Sequence, residues 1–312
     1  MSFQSRLGCW FVRARMKKKP KGERALVDFT RRVFEPPAWL VKLHSRGVNI
    51  EPTTAPVKGE WTLPPGLTEK NSVLYYLHGG GYLSGSAKTN RPIATPLARR
   101  LKRRVFSLDY RLAPEHRFPA AVEDALAGYR WLVSTGVDPR QLSVAGDSAG
   151  GGLALALVMA LRDAGEKLPS CVACLSPWAD MTGSGESIIA NSKRDAMFRG
   201  EDIGAYASAY LGSQSPQTPL ASPLFGNFAG LPPLYIEVGE SEVLLDDARQ
   251  VHRKALAAGV PSELRIVKGV PHGWQFGAPF VPEARESLRQ IADFITRNGG
   301  LQPPLQKKEG RF

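Results

Sequence analysis

From Ser72 onward, apolar runs typical of buried strands alternate with patterns typical of helices. This spacing indicates βαβ units, which build a mostly parallel sheet with helices on both faces. Continuous apolar runs such as "SVLYYL" fit strands that are buried on both sides. The fold class that we predict is therefore α/β. The strand-like runs are "SVLYYLHGG", "VFSLDYRLA", "QLSVAGDS", "SCVACLSPW", "PPLYIEVGE" and "SELRIVKGV", with later helices expected at 120–135, 245–258 and 282–297.

Two helical stretches interrupt this alternation of strands and helices, and we predict that both belong to one accessory layer over the sheet. The first spans residues 1–49 and is basic, and the second spans 183–213. The sheet core then falls into two parts, residues 50–182 and 214–300. The remaining tail, 301–312, is rich in Pro and Lys, and we expect it to be frayed.

The net charge of +12 first suggests a polyanion as a partner. The densest basic runs, 13–24 and 98–104, contain no interleaved aromatic residues and no nucleic-acid-binding module, so we predict no nucleic acid partner. A solvated basic face is the favoured interpretation, and an N-terminal amphipathic helix resting on anionic lipid is the alternative. No segment reaches the ~18 apolar residues that span a bilayer. We therefore predict no stable membrane insertion and a cytoplasmic location.

The three cysteines, Cys9, Cys171 and Cys174, are too few for a disulfide framework. Cys171 and Cys174 lie in the strand-like run "SCVACLSPW". Three residues of strand separate their α-carbons by roughly 10 Å and put the side chains on opposite faces. A disulfide needs less than about 7 Å, so we expect both thiols to fill the core.

Ser148 lies in "GDSAG", which matches the G-x-S-x-G pattern of a nucleophile elbow. An apolar strand pattern precedes it and a helix of small residues follows. The flanking glycines avoid clashes in the sharp turn, which lifts the hydroxyl to the carboxyl edge of the sheet, where α/β folds bind ligands. We predict that Ser148 is the nucleophile. The alternative is a tightly packed glycine-rich turn without catalytic function.

A second glycine run, "HGGG", ends the strand "SVLYYL". Glycines let backbone N–H groups approach a substrate closely, and such donors stabilise the oxyanion of acyl transfer. We predict that the N–H groups of Gly80 and Gly81, together with that of Ala149, form an oxyanion hole. A phosphate-binding loop is the rival interpretation, but the Lys-Ser/Thr of a P-loop does not follow.

A serine nucleophile needs a base, and the base needs an orienting acid. In α/β-hydrolases the order along the chain is Ser, Asp or Glu, then His, which leaves His252 and His272. We favour His272, because "GVPHGW" follows a strand, whereas His252 lies within a helical pattern. Glu240 and Glu242 both occupy the strand-end loop expected for the acid, and spacing alone does not separate them.

The large side chains of the predicted substrate pocket are Tyr82, Met197, Phe198 and Trp274, each of which could equally fill the core.

The chain resembles the hormone-sensitive-lipase-like family of α/β-hydrolase esterases from Ser72 to about Asn298. The motifs that carry the resemblance stand in the family's order: "HGGGYLSGS", "DYRLAPEHRFPAAVEDA", "VAGDSAGGGLALAL", "SPWADMTGSGES", "ASPLFGNFAGLPP" and "PHGW". The family places its acid in a G-x-x-D-x-L-x-D stretch, which puts it on Glu242 here, a glutamate where many relatives have aspartate. Asp246 is the reserve candidate. The resemblance also implies a helical cap and, often, a homodimer.

Together these features predict a serine carboxylesterase that works through an acyl-enzyme, and the resemblance implies a preference for short- to medium-chain acyl esters. Neither a metal nor a cofactor is needed for this chemistry, and the partner is a small-molecule ester. Lactone hydrolysis and deacetylation by the same residues are alternatives, and a peptidase is disfavoured because no second domain selects peptides. The non-enzymatic alternative is a ligand-binding module on the hydrolase fold.

Overall fold

A single eight-stranded sheet organises the described part of this computed structural model, residues 2–17, 20–67, 71–278 and 280–299. In chain order its strands are β1 (Asn49–Thr53), β2 (Gly59–Leu63), β3 (Val73–Leu77), β4 (Arg104–Leu108), β5 (Leu142–Asp147), β6 (Val172–Leu175), β7 (Leu234–Gly239) and β8 (Ser262–Val267). They lie side by side in the order β1-β2-β4-β3-β5-β6-β7-β8. β2 pairs antiparallel with β1 and β4, and every other neighbouring pair is parallel. The predicted tail, 301–312, lies outside the described residues.

Helices cover both faces of this sheet, which confirms the predicted α/β class. They are α1 (Phe3–Met16), α2 (Glu23–Phe34), α3 (Ala38–His44), α4 (Arg91–Leu101), α5 (Ala120–Ser134), α6 (Ala149–Asp163), α7 (Glu186–Ala190), α8 (Gly200–Leu211), α9 (Leu245–Ala257) and α10 (Pro282–Asn298). Short 3₁₀ turns lie at Pro139–Gln141, Pro223–Phe225 and Trp274–Gly277. Within the described residues, no helix combines the length and the apolar character needed to cross a membrane.

Two apolar clusters form the core, one on each face of the sheet. The side chains of β3 alternate between them: Val73, Tyr75 and Leu77 join the cluster with α5, α6 and α9, whereas Leu74 and Tyr76 join the one with α4 and α10. All five side chains of β3 are fully buried. Burial on both faces explains why this strand reads as one continuous apolar run.

Strands β1 and β2 precede the alternation that starts at Ser72, and the sequence pattern did not indicate them. They are mostly partly exposed and lie at the antiparallel edge of the sheet. Pro52 within β1 fits this edge position, because proline cannot donate to a strand ladder. An edge hairpin has no continuous apolar run, so its signal is weak.

The two stretches that interrupt the alternation contain α1 to α3 and α7 to α8, and they contact each other. The hydroxyls of Thr30 on α2 and Tyr206 on α8 lie 2.9 Å apart. Nη1 of Arg13 on α1 donates to the carbonyl of Lys193 at 3.1 Å, and Nζ of Lys17 donates to that of Ser192 at 2.7 Å. The two stretches therefore contact each other although they are far apart in sequence.

The three thiols are unpaired, and Cys171 and Cys174 fill the core as expected. Both are fully buried, and they belong to the clusters on opposite faces of the sheet. Cys9 on α1 is partly exposed.

Candidate active site

Ser148 lies between β5 and α6, and its backbone has a φ of 54° and a ψ of −120°. A non-glycine residue keeps such a strained conformation only where its surroundings enforce it. A Cβ on Gly146 would lie 2.2 Å from the carbonyl oxygen of Gly150, and one on Gly150 would lie 2.1 Å from that of Leu77. Strand β5, the turn at Ser148 and helix α6 can therefore pack this closely only because Gly146 and Gly150 lack side chains. This is the geometry of a nucleophile elbow.

The imidazole of His272 follows β8 and contacts the carboxylate of Glu242 in the loop after β7. Nδ1 of His272 lies 2.6 Å from Oε2 of Glu242. The second oxygen, Oε1, accepts the backbone N–H of Gly239 at 2.6 Å and the hydroxyl of Ser176 at 2.8 Å. With the carboxylate ionised, Nδ1 is the donor, which leaves Nε2 as an acceptor directed away from Glu242.

Burial lowers the pKa of His272, but the charge of Glu242 and the hydrogen bond to it outweigh this effect, so the pKa is raised above its ordinary value of 6.5. The imidazolium form is therefore stabilised by its surroundings. A base that must carry a proton during a reaction benefits from such stabilisation.

The other candidates for the acid and the base form hydrogen bonds elsewhere in the structure. Oδ2 of Asp246 accepts the backbone N–H of Ser187 at 2.8 Å, at the start of α7. Nδ1 of His252 on α9 faces the hydroxyl of Ser262 at 2.9 Å. Of the carboxylates weighed from the sequence, Glu242 is the one that meets His272, although its neighbour Glu240 occupies the same loop.

The glycine loop after β3 reaches the same site. Gly80 and Gly81 have φ values of 116° and 65°, which favour glycine. A Cβ on Gly81 would lie 2.6 Å from Cδ1 of Tyr206. Ala149, buried behind Ser148, is the first residue of α6, so its N–H has no intrahelical acceptor and points from the positive end of the helix dipole.

Asp147 anchors the glycine loop to the elbow, a function that the sequence analysis did not assign. Its Oδ1 accepts the hydroxyl of Tyr76 at 2.8 Å, the N–H of Gly79 at 3.0 Å and the amide of Asn90 at 2.7 Å. Burial raises the pKa of Asp147. The signal that could have identified it is its place between Gly146 and Ser148, next to the predicted nucleophile.

Asp195 is a second buried carboxylate that the sequence analysis missed. Its Oδ1 accepts the N–H groups of Met197 at 2.7 Å and Phe198 at 3.0 Å, and its Oδ2 accepts the N–H of Val243 at 2.9 Å. Val243 follows Glu242 directly. Burial raises the pKa of Asp195, and the charge of Glu242 raises it further.

These elements surround one cavity of about 720 Å³. Gly80, Gly81, Ser148 and His272 line it, and so do the predicted pocket residues Met197, Phe198 and Trp274. The ring of Phe198 meets that of His272 edge to face, with centroids 5.2 Å apart. The apolar wall is completed by α1, α2 and α3, with lining residues that include Phe11, Val12, Met16, Val33, Phe34, Trp39 and Leu40.

Tyr82 is absent from the described residues that line this cavity. Its ring is buried and stacks on Tyr210 of α8, with centroids 3.8 Å apart. The backbone forms a turn between Gly80 and Ser84, and the Tyr82 side chain packs against Tyr210 and Trp178 instead of lining the cavity. Among the described residues, no group of three or more His, Cys, Asp or Glu side chains is arranged to hold a metal ion.

Comparisons with known proteins agree with this architecture. The family model described as alpha/beta hydrolase fold matches residues 74–276. An "Acetyl-hydrolase" from Streptomyces hygroscopicus is 42% identical over 236 residues, which cover 76% of this chain and 78% of that protein. An "Esterase" from Acinetobacter venetianus is 37% identical over 225 residues, which cover 72% of this chain and 74% of that protein.

Solved structures extend the similarity to the N-terminal helices. An esterase from the bacterial hormone-sensitive lipase family is 40% identical and has a TM-score of 0.88, covering 96% of this chain and 99% of that one. An esterase/lipase from an uncultured bacterium is 37% identical with a TM-score of 0.87, covering 96% and 100%. The chain belongs to the hormone-sensitive-lipase-like family of α/β-hydrolase esterases.

Proposed function

We propose that this protein is a serine carboxylesterase in which Ser148, His272 and Glu242 form the catalytic triad. The observation that carries the proposal is the 2.6 Å contact between Nδ1 of His272 and Glu242, in a cavity that the strained Ser148 also lines. A serine at a positive φ that shares a cavity with a histidine oriented by a buried carboxylate fits the arrangement that acyl transfer needs.

In the proposed reaction, Nε2 of His272 takes the proton of Ser148 while Oγ forms a bond to the acyl carbon. The carbonyl becomes an oxyanion, which accepts hydrogen bonds from the N–H groups of Gly80, Gly81 and Ala149. His272 then returns the proton to the alcohol oxygen as the ester bond breaks. A water molecule then attacks the acyl carbon of the acyl-enzyme while Nε2 of His272 takes its proton. His272 returns this proton to Oγ of Ser148 as the acyl–oxygen bond breaks, which releases the carboxylic acid and free Ser148.

The helical segments 1–49 and 183–213 form the cap in this proposal. Their mutual hydrogen bonds, Thr30 to Tyr206 among them, support their treatment as one layer. The apolar side chains that α1, α2 and α3 contribute to the cavity support a pocket for a short- to medium-chain acyl group. A cytoplasmic location, a homodimer and the absence of a nucleic acid partner stay predictions.

The decisive experiment compares Ser148→Ala with Ser134→Ala, a serine exposed on α5. We expect S148A to lower kcat for p-nitrophenyl butyrate by at least about 10⁴-fold with an unchanged thermal melt, since triad serines contribute on this scale. S134A should match the wild type. A fluorophosphonate probe should label the wild type and S134A but not S148A. A wild-type protein that neither reacts with the probe nor hydrolyses esters would instead be a ligand-binding module.

Hydrolysis of acetyl esters is a second candidate, favoured by the name of the relative from Streptomyces hygroscopicus. The triad would be the same, and only the acyl group would differ. Rates on p-nitrophenyl esters from C2 to C12 separate the two candidates. A maximum at C2 that falls steeply with chain length indicates an acetyl-hydrolase, and a maximum at C4 to C8 indicates a carboxylesterase with a longer acyl site. Lactones belong in the same substrate panel.

A further inference from the structure

Helix α1 presents large apolar side chains to solvent. Phe3, Leu7 and Trp10 are 77%, 54% and 67% exposed, and their spacing puts them on one face of the helix. Ser5 and Met16 form the opposite face, which is buried against the protein. The packing of α1 on the fold therefore does not use its outer apolar face.

Basic side chains border this outer face on both sides. At 3.6 residues per turn, Arg6 and Arg13 lie on one side of the apolar face and Arg15 lies on the other. Residues 3–24 carry eight basic side chains and one acidic side chain, within a chain of net charge +12. An apolar stripe between cations is the pattern of a helix that lies in the plane of an anionic lipid surface.

The outer face of α1 is continuous with the mouth of the cavity. Phe11, the next residue on the helix, is 54% exposed and also lines the cavity. Trp39 on α3 and Phe280 before α10 share both properties, with exposures of 67% and 59%. Trp is favoured at the boundary between headgroups and acyl chains, and Phe is typical of apolar surfaces that enter this boundary. The entrance is thus rimmed by the residue type that suits a lipid interface.

We propose that α1 docks the protein peripherally on bilayers that contain anionic lipid, with the cavity mouth facing the membrane. This surface goes beyond the proposed esterase function, and its binding does not depend on that function. A second copy of the chain is a less suitable occupant. In a symmetric dimer through α1, Arg6 and Arg13 of one copy would meet the same positive face of the other, and like charges would oppose the contact.

The test is cosedimentation with vesicles of phosphatidylcholine alone and with an equimolar mixture of phosphatidylcholine and phosphatidylglycerol. The wild type should bind the anionic vesicles, bind the neutral ones weakly, and dissociate as salt is added. L7Q/W10Q should weaken binding at least about tenfold, since two apolar side chains no longer enter the lipid. R6Q should weaken it about fivefold, the contribution of one cation near an anionic surface.

Matched controls are L256Q, which changes an apolar side chain that is 52% exposed on α9, and R253Q on the same helix. Both should bind like the wild type. Hydrolysis of dissolved p-nitrophenyl butyrate should be the same in all these variants, so an inactive protein and a protein that does not bind vesicles are distinguishable. The proposal is overturned if anionic vesicles retain no wild-type protein, or if L7Q/W10Q binds like L256Q. It is also overturned if the wild type is a dimer that L7Q/W10Q dissociates, without vesicle binding.

Discussion

Asp195 accepts a hydrogen bond from the backbone N–H of Val243 at 2.9 Å, so a carboxylate before α8 contacts the residue that follows Glu242. The other oxygen of Asp195 holds the N–H groups of Met197 and Phe198. One buried side chain thereby connects the pocket wall to the loop that carries the proposed acid. Such a connection can set the position of Glu242 without touching the substrate.

Asp195→Asn tests this positioning role. An amide retains one acceptor but loses the negative charge and one acceptor, so we expect kcat to fall by about tenfold with little change in KM. The charge of Asp195 also raises the pKa of His272, so the acidic limb of the kcat/KM profile should move to lower pH. The control is D293N, a partly exposed aspartate on α10. An unchanged pH profile together with an unchanged kcat would contradict the role.

Glu242→Gln and Asp246→Asn distinguish the two candidates for the acid. Glutamine no longer holds the imidazolium, so we expect E242Q to reduce kcat/KM by about 10³-fold or more, as other acid-to-amide triad changes do. D246N should stay within about threefold of the wild type, because Asp246 bonds to Ser187 instead. Initial rates on p-nitrophenyl butyrate provide the comparison. A larger loss in D246N would transfer the role to Asp246.

If His272 is the base, as proposed, the pH dependence of kcat/KM reports its pKa in the free enzyme. The base must be neutral, and the charge of Glu242 raises the pKa of His272 against the opposing effect of burial. Activity should therefore decline below a pH that is higher than the ordinary histidine value of 6.5. In E242Q the residual activity should decline at a lower pH than in the wild type. A shift in the other direction would exclude Glu242 as the cause.

Phe198→Ala should change the acyl preference. Phe198 lines the cavity and meets His272 edge to face, so its removal opens space beside His272, in the cavity that Ser148 also lines. We expect the optimum in a C2 to C12 ester series to move to longer chains. Phe225→Ala, on a 37% exposed phenylalanine, is the control and should keep the wild-type optimum. An unchanged optimum in F198A would place the acyl chain elsewhere in the cavity.

Asp247 should make the protein less stable as the pH rises. Its Oδ2 accepts the N–H groups of Ala179 and Asp180, and burial raises the pKa of Asp247 from 3.8 to about 8. The folded state therefore binds the proton more tightly than the unfolded state. The stabilisation is complete below pH 3.8 and is lost as the pH rises towards 8.

Urea unfolding between about pH 5 and about pH 7.5 measures this effect, which amounts to at most about 1.4 kcal/mol per pH unit. In D247N the free energy of unfolding should fall less steeply than in the wild type, since Asn accepts the same bonds without titrating. D163N, on the exposed end of α6, should keep the wild-type slope. Equal slopes in all three proteins would show that Asp247 is ionised in the folded state.

The sheet and the elbow were predictable because their signals are local. A strand buried on both faces, such as β3, requires a continuous apolar run, and the turn at Ser148 requires glycines where backbone atoms nearly touch. The edge strands β1 and β2 carry neither constraint. The sequence pattern therefore did not predict β1 and β2.

The choice between Glu240 and Glu242 was not accessible from spacing. Both follow β7, and the difference arises from the loop conformation, in which the N–H of Gly239 donates to Oε1 of Glu242. Asp147 and Asp195 depend on contacts with distant segments, Asn90 and Val243 respectively. Only the folded chain brings these partners together.

The distribution of the three thiols has a practical consequence. Cys171 and Cys174 are sealed within the two core clusters, whereas Cys9 on α1 is partly accessible. Burial raises the pKa of Cys9, so a maleimide dye should react with it faster in mildly alkaline buffer. The native chain thus provides a single attachment point for a fluorophore, located on the helix whose surroundings would change on contact with lipid.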